Sequence, residues 1–301
     1  MKSPLALLRR LAPAAAALSG ALVAAPALAG TIDMSQMQDV ARMVSLGGSC
    51  NRCELSGRDL SGATFTGASF TNATLVGATL RGAELIGSNF AGSDFSRADL
   101  RGAEMTGANF TNAAFTSANL TGAEATGANL ISAVFQDANL SSAELNGANF
   151  NRAILTRAKF NSSEMFGVTL ANVRAVGADF SNAEINASNL SNGVFDNASF
   201  RNASLDSARL TGGSFERANF SGASLRRTDL RGADLSSARG LNQEQVREAC
   251  GDGSTRLPEG LTVRTCGGAS IRVIRTPPAP PAPPAPAVPP RQRNLVIASG
   301  N

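Results

Sequence analysis

From Leu55 to Leu235 every fifth residue is large and apolar, and the phase never slips. Of the 37 positions in this series only Ala125 and Ala175 are not Leu, Phe, Met or Ile, and 14 of the 15 phenylalanines in the chain fall in it. A five-residue step turns an α-helix by about 140° net, so the series would wind around every face and no helix could bury it. In a straight strand an odd step sends successive large residues to opposite sides of the sheet. What remains is a backbone that bends once per five residues, always in the same sense, and directs each large side chain into one shared interior.

Alternation places a second inward residue two positions before each large one, and there the sequence carries small residues, as at Ala63, Ala68, Ala73, Ala78, Ala83 and Ala98. Between the units sit pairs such as Ser61-Gly62, Thr66-Gly67, Arg81-Gly82 and Thr106-Gly107. Glycine admits positive φ, and Ser or Asn bonds nearby backbone, so these pairs read as corners.

A longer period sets the number of sides. Glu84, Glu104, Glu124, Glu144, Glu164 and Glu184 stand twenty residues apart, as do Asn89, Asn109, Asn129 and Asn149, with Asn189 in the same phase. Twenty is four fives, whereas a triangular coil would favour fifteen. The expected fold is an all-β, four-sided solenoid of roughly nine coils, about 45 Å long at a strand spacing of about 4.8 Å.

Units such as Ser61 to Phe65 (Ser-Gly-Ala-Thr-Phe), Thr106 to Phe110 and Arg231 to Leu235 resemble the pentapeptide repeat family. The resemblance implies a right-handed quadrilateral β-helix. Cys53-Glu54-Leu55-Ser56-Gly57 is similar to the start of many exported members, and Gln245 to Asp252, with Cys266 beyond, to the C-terminal cap of some proteobacterial ones. The best-known members are DNA-mimicking inhibitors of type II topoisomerases, which the resemblance brings in as a functional alternative.

The chain divides into five segments. Residues 1–29 read as an export signal, with Lys2, Arg9 and Arg10 before an Ala- and Leu-rich core and Ala27-Leu28-Ala29 at the cleavage site. Pro13, Gly20 and Pro26 make the same stretch a poor spanning helix, so no stable membrane span is expected after its removal. Residues 30–52 form an expected N-terminal helix and cap, with Asp33 capping and Met34, Met37, Val40, Ala41 and Val44 at helical spacing. The β-helix occupies 53–240. Residues 241–275 read as a cap helix from Gln243 to Ala249 followed by a hairpin using Leu261, Val263, Ile271 and Val273. The tail, 276–301, is nearly pure Pro-Pro-Ala from Pro277 to Pro290, a polyproline II spacer.

Composition narrows the function. The chain has no His, Trp or Tyr, which removes the commonest general base, the commonest metal ligand and two favoured interface anchors. Between Cys50 and Gly240 it carries 16 basic and 17 acidic residues, so the rod as a whole is not a nucleic-acid binder. Without His the serines lack their usual base, and no glycine pattern follows a strand and opens a helix to cradle phosphate. Neither an enzyme nor a cofactor is expected.

Four groups of residues are candidates for function or special chemistry. The six-Glu column is the sharpest: like charges about 5 Å apart repel by about 1 kcal/mol per pair in water, and they suit a basic partner or a divalent cation. Arg81 and Arg101, three residues before a Glu, are placed to neutralise its upper end. Ala114, Val134, Ile154 and Val194 form an outward column interrupted by Arg174, a candidate apolar contact. The Asn column suggests a ladder of side-chain hydrogen bonds. Cys50, Cys53, Cys250 and Cys266 suit two disulfides, within each close pair, although Cys50 and Cys53 also have the spacing of a redox pair or half a metal site.

Taken together, these features describe a periplasmic or secreted, non-enzymatic rod that presents flat side-chain columns to a protein partner in the envelope or outside the cell. The alternatives are a DNA mimic acting on a topoisomerase and a cation-binding Glu column.

Overall fold

The computed structural model describes residues 48–267. The expected signal 1–29, residues 30–47 of the N-terminal cap, the Ile271 and Val273 strand and the tail 276–301 lie outside them. Each residue that precedes a large apolar one forms a parallel rung with the residue twenty positions on: Glu54 with Thr74, Asp59 with Thr79, Thr64 with Glu84, Ser69 with Asn89. Those four positions are the four sides of one coil, and the pattern continues unbroken to Asn219 with Arg239. Each side bonds both neighbouring coils, as when Glu84 N–H donates to the Ala63 carbonyl at 2.9 Å and Leu85 N–H to the Glu104 carbonyl at 2.6 Å.

The corners are hydrogen-bonded turns. Ala63 N–H donates to the Leu60 carbonyl at 3.1 Å, and Gly62, third in that turn, has φ +64°. A left-handed residue is what a type II turn demands at its third position, which explains why Gly and Asn recur there. The demand is strong enough that Ser142, Arg152 and Ala187 also adopt φ between 55° and 61°.

All 37 members of the apolar series from Leu55 to Leu235 are buried. Phenylalanines on one side stack along the axis, Phe70 on Phe90 at 4.9 Å and Phe95 on Phe115 at 5.0 Å, while rings on adjacent sides meet edge to face, as Phe110 and Phe115 do at 5.4 Å. Both geometries are favoured by the ring quadrupole. The narrow lumen admits mostly alanine at the second inward position. Where Ser93 and Ser188 replace it, the hydroxyl donates to the Phe70 and Met165 carbonyls at 2.6 and 2.7 Å, and no buried side-chain polar atom among the described residues is left unpaired.

At the C-terminal end, α1 (Gln243–Glu248) covers the last regular coil. Asn242 and Gln245 form a capping box, Val246 and Ala249 are fully buried, and the Gln245 side chain donates to the Phe220 and Ala223 carbonyls at 3.0 and 2.8 Å. The chain then re-enters the solenoid. Cys250 pairs with Asp229 and Arg256 with Asp234, separations of 21 and 22 instead of 20, so an irregular coil follows the helix. The expected hairpin segment pairs differently from a hairpin: β1 (Cys250–Gly251) lies parallel to β2 (Arg264–Thr265). No helix among the described residues is long and apolar enough to cross a membrane.

Candidate functional site

The six glutamates stand in one line. Glu84, Glu104, Glu124, Glu144, Glu164 and Glu184 are successive parallel rungs of one wall, between Thr64 at one end and Ser204 and Ser224 at the other. Alternation within each five-residue side forces this, since the residue between two inward ones must point out. All but the half-buried Glu104 are exposed.

Arg81 and Arg101 do not neutralise this wall. Both bind Asp99 on the preceding side, Arg81 Nε at 2.6 Å from Oδ2 and Arg101 Nη2 at 2.8 Å. The reason is local: Arg101 occupies the corner two residues after Asp99, and its backbone N–H also donates to that carboxylate, at 3.3 Å. Every ion pair among the described residues uses an aspartate, at positions 99, 137, 206, 229 or 234. None of the six glutamates takes part. From Glu124 to Glu184 the corner before the wall carries Thr121, Ser141, Asn161 and Ser181, and the corner after it Thr126, Asn146, Phe166 and Asn186. Over this stretch the wall is therefore a line of uncompensated negative charge between uncharged margins.

No three of the six Glu side chains bring carboxylate oxygens within 4.8 Å of one another. Among the described residues, the one group of three metal-ligating side chains within 4.8 Å of one another is Asp229, Cys250 and Cys266. Cys250 and Cys266 are joined in a disulfide, as are Cys50 and Cys53, so no free cysteine remains and these thiols serve as staples.

The other columns are less distinct. Asn109 Nδ2 donates to Asn89 Oδ1 at 3.1 Å, one rung of the expected ladder, but the Oδ1 atoms of Asn89, Asn109, Asn129, Asn149 and Asn189 all accept from the backbone N–H two residues on. The column mainly braces corners. Ala114, Val134 and Ile154 do follow one another along one wall, with Arg174 between Ile154 and Val194, yet only Ile154 is exposed; Ala114, Val134 and Val194 are half-buried. Among the described residues the large apolar side chain most open to solvent is Phe166, 58% exposed at the margin of the Glu wall, the one phenylalanine outside the five-residue phase.

A second charged feature went unseen in the sequence. Arg226, Arg227, Arg247, Glu248 and Arg264 line an open cleft of about 530 Å³ where α1 and β2 meet the last coils. These residues span three segments and follow no period, so only the folded cap brings them together.

The pentapeptide repeat model matches in eight overlapping copies between residues 49 and 239. Among solved structures, HetL, a pentapeptide repeat protein involved in heterocyst differentiation regulation in the cyanobacterium Nostoc sp. strain PCC 7120, is 29% identical. The match covers 75% of this chain and 98% of HetL, with a TM-score of 0.52. QnrB1, a plasmid-mediated fluoroquinolone resistance protein, is 20% identical over 69% of this chain and 93% of its own, with a TM-score of 0.38. No curated protein sequence matches the chain. The solenoid is a right-handed quadrilateral β-helix, the fold it shares with HetL.

Proposed function

The chain belongs to the pentapeptide repeat family, and from that premise we propose that it is an exported, non-enzymatic binding rod whose Glu wall docks a basic protein surface. The observation that carries this reading is the register: six carboxylates on consecutive rungs of one wall, none of them in an ion pair among the described residues. A row of like charges disfavours the compact state, whereas complementary charge across an interface steers association and fixes orientation. A straight rod holds the row rigid, so little ordering entropy is lost on docking. Export rests on the character of residues 1–29, and the Pro-rich tail would act as a stiff spacer or tether. DNA mimicry draws less support, because the rod is almost neutral and its acidic excess lies on one wall.

The test is site-specific photo-crosslinking in the producing cell, after fractionation shows where the protein resides. A probe at Thr126, beside the wall, should capture one defined basic protein, and Glu124→Gln with Glu144→Gln and Glu164→Gln should abolish the capture. A probe on the opposite side, at Gln136, should give none. Equal capture from both sides, or no change in the triple variant, would overturn the reading.

A further inference from the structure

We propose that the cleft at the C-terminal cap is a binding site for a phosphate monoester in its dianionic form. Four guanidiniums and one carboxylate line it, those of Arg226, Arg227, Arg247, Arg264 and Glu248. Arg226 is already committed to Asp206, with Nε donating to Oδ2 at 2.7 Å. The remaining groups are three positive and one negative. The surplus of two charges is what a phosphate monoester neutralises at neutral pH.

The backbone of the cap is arranged to suit an anion. Carbonyl oxygens at a helix C-terminus would repel one, and here they are occupied: Glu248 O accepts from Arg227 N–H at 2.7 Å, and Ala249 O accepts from Arg264 Nε at 3.0 Å. The second contact fixes the Arg264 guanidinium while leaving its terminal nitrogens available. Arg227 and Arg247 are exposed and in no ion pair among the described residues. Guanidiniums present planar donor forks that fit phosphate oxygens two at a time. The space, about 530 Å³, falls in the range of small-ligand sites. Residues 268–301 contain no Asp or Glu, so no acidic side chain of the tail can serve as the counter-charge. The disulfide between Cys250 and Cys266 ties β1 to the residue following β2, which holds Arg264 against the cap helix.

The same chemistry exists as a soluble metabolite and as a lipid headgroup, and two arms separate them. In the first, the full chain is titrated with glycerol 3-phosphate by calorimetry at low ionic strength. In the second, it is sedimented with phosphatidic acid vesicles and with phosphatidylcholine vesicles. Binding in the first arm with one site per chain assigns a soluble ligand, and binding confined to phosphatidic acid assigns a headgroup; either supports the site. Arg227→Gln with Arg247→Gln should weaken binding by at least about tenfold, the loss of strong charge-assisted contacts. Arg97→Gln with Arg152→Gln, the same charge change at two corners elsewhere on the rod, should leave it intact. No binding in either arm, or equal loss in the two double variants, overturns the proposal. Thermal unfolding of each variant in the absence of ligand confirms that the cap is retained.

Discussion

A Cβ atom placed on Gly193 would fall on Cε2 of Phe195 and lie 3.0 Å from its Cζ. Gly193 occupies the second inward position, where alanine is the rule, and the Phe195 ring uses the space that the methyl group would fill. That ring stacks on Phe215 at 5.1 Å, and Gly213 stands in the same relation to Phe215 one coil on, at 2.8 Å.

Gly193→Ala should therefore destabilise the rod by about 1–3 kcal/mol, the usual cost of overpacking a filled core. In a Phe195→Leu background the same substitution should cost less than half as much, because the colliding ring atoms are gone. Denaturant unfolding of the four proteins in this cycle measures both values. Equal penalties in the two backgrounds would show that the glycine serves some other purpose.

The corners give an opposite expectation. Ala187 has φ 55°, a conformation in which a Cβ costs roughly 1 kcal/mol. Ala187→Gly should raise stability by about 0.5 kcal/mol once the greater freedom of glycine in the unfolded chain is subtracted. By the same balance Gly127, at φ 65° with open space around it, should lose about 0.5 kcal/mol on substitution by alanine, since the stiffer unfolded chain offsets part of the backbone strain. Thermal unfolding of the two variants should shift in opposite directions.

These two cases mark what the sequence disclosed. A period of five with a second period of twenty determines which residues face inward, which form corners and which share a wall, because side-chain direction in a bent strand follows from position alone. Hence the Glu line was readable. Pairing was harder. Arg101 stands within three residues of both Glu104 and Asp99, and only the turn of the corner decides that it reaches back to Asp99 at 2.8 Å. Gly193 looks like another small inward residue until the rotamer of Phe195 is known. The Arg cleft was illegible because Arg226 and Arg264 are 38 positions apart and joined by an aperiodic cap, where pairing steps of 21 and 22 break the rule that served elsewhere.

Asp229 sits under the cap and is almost fully buried, with Arg231 Nη2 at 2.6 Å from Oδ2. Burial pushes its carboxyl up, but the hydrogen bonds and charge of Arg231 outweigh this and hold it below the ordinary value. A depressed folded value means that the stabilisation is fully present above about pH 4 and is lost as pH falls through the folded value. Arg231→Gln leaves the burial effect largely unopposed and should cost about 2 kcal/mol at neutral pH. The deficit should shrink on acidification, since protonation then relieves the variant and not the parent. Unfolding curves of both proteins between pH 3 and 7, compared at each pH, check the sign; a constant gap across the range would exclude the linkage.

The two disulfides should differ in weight. Cys250 and Cys266 are 16 residues apart, and closing a loop of that size stabilises by about 3 kcal/mol in the chain-entropy account. Cys50 and Cys53 are three apart and restrict far less of the unfolded chain. Replacing Cys250 and Cys266 with alanine should loosen the cap first, because each coil of a solenoid leans on its neighbours, and limited proteolysis should then cut between residues 251 and 263. The corresponding change at Cys50 and Cys53 should leave that region protected.

The Glu wall makes a prediction about stability that also bears on its purpose. Glu144 has a like-charged neighbour on either side, at Glu124 and Glu164, with no ion pair to any of the three among the described residues. Glu144→Gln removes two repulsive contacts and leaves packing untouched, so it should stabilise the rod at low ionic strength. Glu144→Lys should do so further by converting repulsion into attraction. At about 1 M salt, where screening acts within about 3 Å, both gains should largely vanish. Paired denaturation curves at low and high salt measure this, and a variant that is less stable than its parent would mean that the glutamates hold the coils together. If the gains appear, the row is retained at a cost to the fold, as expected of a surface kept for something outside the molecule.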